Sequence, residues 1–318
     1  MNFAAVGGVS LRQWHIETET GSSSTYRRQN AAQTKPATST KKSSMTLKIA
    51  KPLDVSLPQE CVWYQTFDLP DGSLIRGRWD YRSNVDDYLG RIDYKGKSVL
   101  EIGPASGYLT RAMEQRGADV LCVDTSLEHV WDVAPRLDRD VDKYIEERRA
   151  TIPKLWKGWW LTKRIFNGSA RMSYSGAASI AELPPNQTFD VALIGSVLQH
   201  FENPFVILSH VARRCRTIVV TEQYFPRLDL PGRSLVEFIP HQRNNDLGSW
   251  WLLGASAVEQ MMGTLNFKKS SSYFSTFRRW DLKQKDIGED TFRDVRFFTH
   301  VYEHSPRDES RYRQLAEA

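Results

Sequence analysis

One stretch constrains the fold more than any other: Lys97-Ser98-Val99-Leu100-Glu101-Ile102-Gly103-Pro104-Ala105-Ser106-Gly107-Tyr108. It reads as a buried strand, a tight turn of small residues and the start of a helix over 109–115. A second apolar strand, Asp119-Val120-Leu121-Cys122-Val123, follows about one helix later and ends in Asp124. That is the first β-α-β unit of a nucleotide-cofactor fold, with small residues at the turn and an acid at the second strand tip that can bind both ribose hydroxyls.

The turn discriminates among cofactors. A dinucleotide site wants glycine at three positions, so that a pyrophosphate can sit on the helix N-terminus. Here those positions are Gly103, Ala105 and Tyr108, and the bulky third one opposes close helix–strand packing of the dehydrogenase kind. Glu101, two residues before the first glycine, opposes a pyrophosphate and suits a cationic ligand. S-adenosylmethionine carries an ammonium, a sulfonium and no phosphate, and is the expected cofactor. No metal is expected. Cys61, Cys122 and Cys215 are far apart, without the spacing of a zinc site. Cys122, inside a strand, reads as a small core residue.

The rest of the chain supports an α/β reading. The third strand is expected at 172–178, the fourth at 190–195 and the fifth at 216–222, with helices over 204–213 and 255–265 between and beyond them. Segments around 268–277 and 296–302 are expected to close the sheet as an antiparallel hairpin. The expectation is a Rossmann-like, seven-stranded, mostly parallel sheet with helices on both faces. A helical insertion is expected at about 127–167, containing Trp156, Trp159 and Trp160. Its aromatics with Lys154, Lys163 and Arg164 could stack bases, but read better as one packed helix face. Residues 45–95 form an N-terminal cap on the domain at 96–318, with a strand near Trp63–Leu69 that runs into a turn at Pro70-Asp71-Gly72.

Residues 16–44 are polar and poor in large aliphatics, so 1–44 is expected to be a disordered tail, with Met45 an alternative start. The tail accounts for most of the net charge of +5: it holds six basic and two acidic residues, leaving 37 against 36 in the body. A near-neutral body carries no broad electrostatic footprint for nucleic acid. No apolar run approaches the roughly 20 residues that span a bilayer, and no secretory leader is evident, so a cytoplasmic location is expected.

The Glu101-to-Gly107 turn with Asp124 resembles the acid-x-Gly-x-Gly-x-Gly motif of class I S-adenosylmethionine-dependent methyltransferases, with Ala105 in place of the middle glycine. A closer resemblance covers about residues 60–275. Phe189-Asp190, Gly195, Val197-Leu198, His200 and Pro204 are spaced as in the enzymes that complete wobble-uridine (mo5U/cmo5U) modification of bacterial tRNA. Trp250-Trp251 and the element ending in Trp79 resemble a branch of that wider family. Enzymes of the tRNA type carry a carboxylated cofactor, held by an upstream lysine and a tyrosine before the histidine. Here that tyrosine position is Gln199, and the lysine segment is missing, so plain S-adenosylmethionine and methyl transfer are expected.

The resemblance implies Trp79, Glu101, Gly103, Pro104, Ala105, Gly107, Asp124, Ser179, Ile180 and Gly195 as the cofactor-binding set. His200, after the fourth strand, is the candidate catalytic base. Glu222 and Tyr224, Trp250-Trp251, and His241 with Arg243 are further candidates for the acceptor pocket. The expected function is methyl transfer to an oxygen or nitrogen of a small molecule. The alternatives are a tRNA wobble-uridine (carboxy)methyltransferase and a non-catalytic scaffold.

Overall fold

In the computed structural model, the residues described are 47–128, 132–240, 246–280 and 291–305. The tail expected to be disordered lies outside them, as do His241 and Arg243. The elements in chain order are β1 (Phe67–Asp68), β2 (Leu74–Ile75), β3 (Trp79–Asp80), α1 (Val85–Tyr88), β4 (Ser98–Ile102), α2 (Tyr108–Gln115), β5 (Asp119–Val123), α3 (Val141–Ile165) and β6 (Arg171–Ser173). They continue with β7 (Phe189–Gly195), α4 (Pro204–Ala212), β8 (Cys215–Gln223), β9 (Val236–Phe238), β10 (Trp251–Leu253), α5 (Ala255–Thr264), β11 (Phe267–Trp280) and β12 (Phe292–His304).

The main sheet has the order β3-β11-β12-β8-β7-β4-β5-β6. The run from β8 to β6 is parallel, and β12, β11 and β3 are added antiparallel. The parallel strands read as near-continuous apolar runs because helices cover both of their faces. Val99, Val120 and Cys122 pack in the cluster with α2 and α3, while Leu100, Ile102, Leu121 and Val123 pack with α4 and α5.

Three expectations are corrected. The sheet has eight strands, not seven. The extra one is β3, from the N-terminal cap, which pairs Trp79 with Arg279 and Asp80 with Arg278 along the edge of β11. Covering an edge removes a row of unpaired backbone groups, but a two-residue strand has no periodicity to betray it. The third strand is only Arg171–Ser173, because the backbone turns at Gly176 (φ +75°) into a 3-10 helix at Ala177–Glu182. The helix of the insertion starts at Val141, where the Asp140 side chain accepts from the Lys143 backbone N–H, and residues 132–140 are not helical. Trp156, Trp159 and Trp160 of α3 are all buried.

The cap is wedged onto the α2 face of the sheet by aromatic rings. Tyr81 and Tyr88 lie 4.6 Å apart between centroids, and Tyr81 meets Phe277 edge-on at 5.2 Å. Both tyrosines are no more than 2% exposed, and each such ring contributes on the order of 1.5–3 kcal/mol by burial. The cap also reaches the turn after β4. Ser106 Oγ accepts from the backbone N–H groups of Tyr64 (3.2 Å) and Gln65 (3.0 Å) and donates to Gln65 Oε1 (3.1 Å). Gln65 Oε1 in turn accepts from the Tyr108 N–H at 3.1 Å. It supplies the cap that Gly107, at the N-cap of α2, cannot offer.

Candidate functional site

The neighbouring parallel strands β4 and β7 send their following helices to opposite faces of the sheet: α2 packs on one, α4 on the other. Open α/β sheets bind ligands at such a point, beyond the carboxyl ends of the strands. The loops after β4, β5, β6 and β7 all end there. They hold several left-handed residues: Gly103 (φ +67°), Ala105 (+52°), Gly107 (+89°), Gly176 (+75°) and Ser196 (+54°). For alanine and serine this conformation costs about 1–3 kcal/mol and persists only where the surroundings enforce it.

The turn after β4 is fixed by Gly103 N–H to Val123 O (2.9 Å) and Gly107 N–H to Pro104 O (3.0 Å). Its glycines also make room for protein. A Cβ on Gly103 would stand 2.6 Å from Val197 Cγ1, and one on Gly107 3.0 Å from Trp159 Cδ1. Gly195, expected to admit a ligand, is instead covered by Tyr88, whose hydroxyl lies 2.8 Å from its Cβ position.

Asp124 sits at the tip of β5, half-buried, with the Thr125 N–H donating to its Oδ1 at 2.8 Å. Burial raises its pKa to about 6, while that N–H and the nearby Trp156 indole pull the other way. The Trp156 Nε1 makes no hydrogen bond of ordinary geometry. Ser196 Oγ, in the loop after β7, is buried beside the Tyr88 hydroxyl. A carboxylate at the tip of β5, with the Trp156 indole N–H beside it, and the small left-handed residues of the neighbouring loops fit the ribose and other polar groups of a nucleoside cofactor.

The remaining candidates are placed differently from one another. Glu101 points beneath α2: its Oε2 accepts from Thr110 Oγ1 (2.6 Å) and Cys122 Sγ (3.3 Å), its Oε1 has no partner, and burial lifts it to about 7. It braces the turn from below. Ser179 donates to the Gly176 carbonyl at 2.6 Å, and Ile180 is fully buried in the cluster with α4 instead of standing open beside an adenine. Trp79, 3% exposed, is closed in by Tyr81, Phe297 and the Arg279 guanidinium.

His200 lies after β7 with Nδ1 against the Gly248 carbonyl. A carbonyl only accepts, so Nδ1 carries the proton and Nε2 the lone pair. Burial lowers the pKa of this ring, which keeps it neutral near pH 7. The wall beside it is tied together by Trp250: its N–H donates to Gln199 O (2.7 Å) and its Nε1 to Asp132 O (2.8 Å). Tyr224 stands against Phe274 at 4.9 Å, on the other side of β8's end.

Glu222 is 4% exposed, and its Oε1 accepts from the Leu198 N–H at 2.9 Å, so it props the turn that carries His200. Burial raises it from 4.5 to about 8, with backbone hydrogen bonds from Leu198 and Val197 opposing. The folded chain therefore keeps this proton at pH values where the unfolded chain has released it. Stability falls as pH rises through that window. Glu222→Gln is expected to flatten the decline in melting temperature between pH 4.5, the ordinary carboxyl value, and about pH 8. A decline parallel to the wild type would show that the carboxyl does not hold its proton there.

Sequence reasoning missed Gln65, Ser196, Tyr88 and Trp156 as parts of the site. Ser106 lay inside the motif, but its partner is 41 residues away and no local pattern links them.

Residues 76–272 match the family model of a methyltransferase domain. The chain is 28% identical over 202 residues to the ubiquinone biosynthesis O-methyltransferase of Pseudomonas fluorescens (strain SBW25), covering 62% of this chain and 69% of that protein. Among solved structures, it is similar to 1,6-didemethyltoxoflavin-N1-methyltransferase of Burkholderia thailandensis, with a TM-score of 0.42, 13% identity, and coverage of 70% of this chain and 76% of that one. Magnesium protoporphyrin IX methyltransferase of Synechocystis PCC 6803 gives a TM-score of 0.41 at 14% identity, with coverage of 70% and 77%.

Proposed function

The chain belongs to the methyltransferase-domain family, and from that premise we propose that it transfers a methyl group from S-adenosylmethionine to an oxygen or nitrogen of a small-molecule acceptor. It is an S-adenosylmethionine-dependent methyltransferase. When bound, that cofactor supplies a methyl group on a sulfonium, open to in-line displacement. The chain's own residues align the acceptor with it, exclude water and remove a proton where the acceptor needs it.

The observation that carries the reading is Asp124, a carboxylate at the tip of β5 beside the Gly103–Gly107 turn, with the Trp156 indole N–H next to it. Asp124 would take the ribose hydroxyls, and the turn would line the methionine portion. Neutral His200, with its lone pair on Nε2, would accept the acceptor's proton, and Glu222 would hold the turn on which it stands. Trp250 and Trp251 would form the apolar wall. The near-neutral body supports a small molecule over RNA. No helix among the described residues is long and apolar enough to cross a membrane.

Asp124→Ala is expected to weaken S-adenosylmethionine binding by about 1–3 kcal/mol, the cost of losing charged hydrogen bonds. Calorimetric titration checks this, and unchanged affinity would remove Asp124 from the cofactor site. The reading as a whole is tested by incubating the protein and methyl-labelled S-adenosylmethionine with fractionated metabolite and RNA extracts. Label in a small-molecule fraction is the expected outcome. Label in RNA would replace it with tRNA modification, and cofactor binding without transfer to any fraction would leave a scaffold.

A further inference from the structure

A cavity of about 650 Å³ lies between the cap, the first half of α3 and the joined ends of β11 and β12. That size is in the range of small-molecule sites. Its walls are aromatic: Trp63 and Tyr64 from the cap, Trp280 and Phe292 from the strand ends, the last two edge-to-face at 5.2 Å. Arg78, Arg148, Arg279 and Arg293 also line it, and no aspartate or glutamate does among the described residues. Arg78 and Arg293 are exposed and make no ion pair with any described residue. The Trp280 Nε1 is buried without a hydrogen-bond partner. A buried donor left unpaired destabilises the fold until an acceptor meets it. Two guanidiniums and an indole N–H without partners among the described residues, together with aromatic walls, suit the same ligand: a planar ring bearing an anionic group.

The cavity adjoins the cofactor turn through two elements. Tyr64 lines it while its backbone N–H donates to Ser106 of that turn. Ile152 of α3 lines it, and Trp156, one turn further along α3, stands beside Asp124. We propose that this cavity holds the non-reacting end of the acceptor, an aromatic ring that carries a carboxylate or phosphate. The inference rests on the small-molecule methyltransferase reading and narrows its substrate class to aromatic anions.

The test needs no turnover, so its failure is separate from failure of the methyltransferase reading. The full chain is titrated with 8-anilinonaphthalene-1-sulfonate, and the bound probe is displaced with benzoate or with phenyl phosphate. The two competitors distinguish carboxylate from phosphate as the preferred group. The double variant Arg78→Ala/Arg293→Ala is expected to bind the probe about tenfold or more weakly, since each lost guanidinium removes a charge-assisted contact. Trp280→Phe, which keeps the ring and removes the donor, is expected to weaken binding less. Arg213→Ala, on the opposite face of the sheet beyond α4, is expected to leave it unchanged; equal melting temperatures show that all variants fold. Probe binding that is unaffected by the double variant would overturn the proposal. So would displacement by a stem-loop RNA with none by benzoate or phenyl phosphate, which would assign the basic surface to nucleic acid.

Discussion

Replacing Gly77 by alanine is expected to pry the N-terminal cap from the domain and to lower stability by about 3 kcal/mol, the upper end for forcing one extra carbon into a packed site. The added Cβ would stand 2.2 Å from the Gln65 carbonyl oxygen, 2.3 Å from its carbon and 2.6 Å from its nitrogen. All three are backbone atoms, so no side chain can rotate away. Thr66 Oγ1 accepts from the Gly77 N–H at 3.2 Å and would be displaced with it. Gln65 is also the residue that holds Ser106 and caps α2, so the damage reaches the cofactor turn. Urea denaturation and calorimetric cofactor titration should both report a loss. Wild-type values in both would show that the cap does not dock in this register.

Trp159→Ala is expected to cost about 3–5 kcal/mol, the range for removing a large buried aromatic side chain. The indole is 1% exposed, meets Trp160 edge-on at 4.9 Å and fills the space beside Gly107. Its Nε1 donates to Thr110 Oγ1 at 3.2 Å, and that hydroxyl donates to Glu101 Oε2 at 2.6 Å. Removing the ring opens a void beneath α2 and breaks the first link of this relay. Trp159→Phe keeps most of the volume and should lose less than half as much. The midpoint of chemical denaturation checks the pair; equal losses would mean that the hydrogen bond, not the packing, carries the stabilisation.

The sequence alone was enough for the parts of this protein whose causes are local. The strand-turn-helix at 98–115 and the acid at 124 follow from small residues at a turn and apolar runs buried on both faces. So do the parallel core, the hairpin of β11 and β12 and the cofactor class. Each depends on residues within a few positions of one another, where periodicity and turn chemistry act directly.

Tertiary structure decided whatever depends on partners distant in the chain. Gln65 caps a helix that begins 43 residues later, Tyr88 fills the space over Gly195, and β3 closes an edge built some 200 residues downstream. Glu101 illustrates the limit well. Its place before the first glycine suggested a carboxylate facing a cationic ligand, but strand alternation turns it under α2, toward Thr110 and Cys122. The arginine-lined cavity is the same kind of feature. Arg78 and Arg293 are separated by most of the chain, and only the docking of the cap against the strand ends brings their charges to one ligand-sized space.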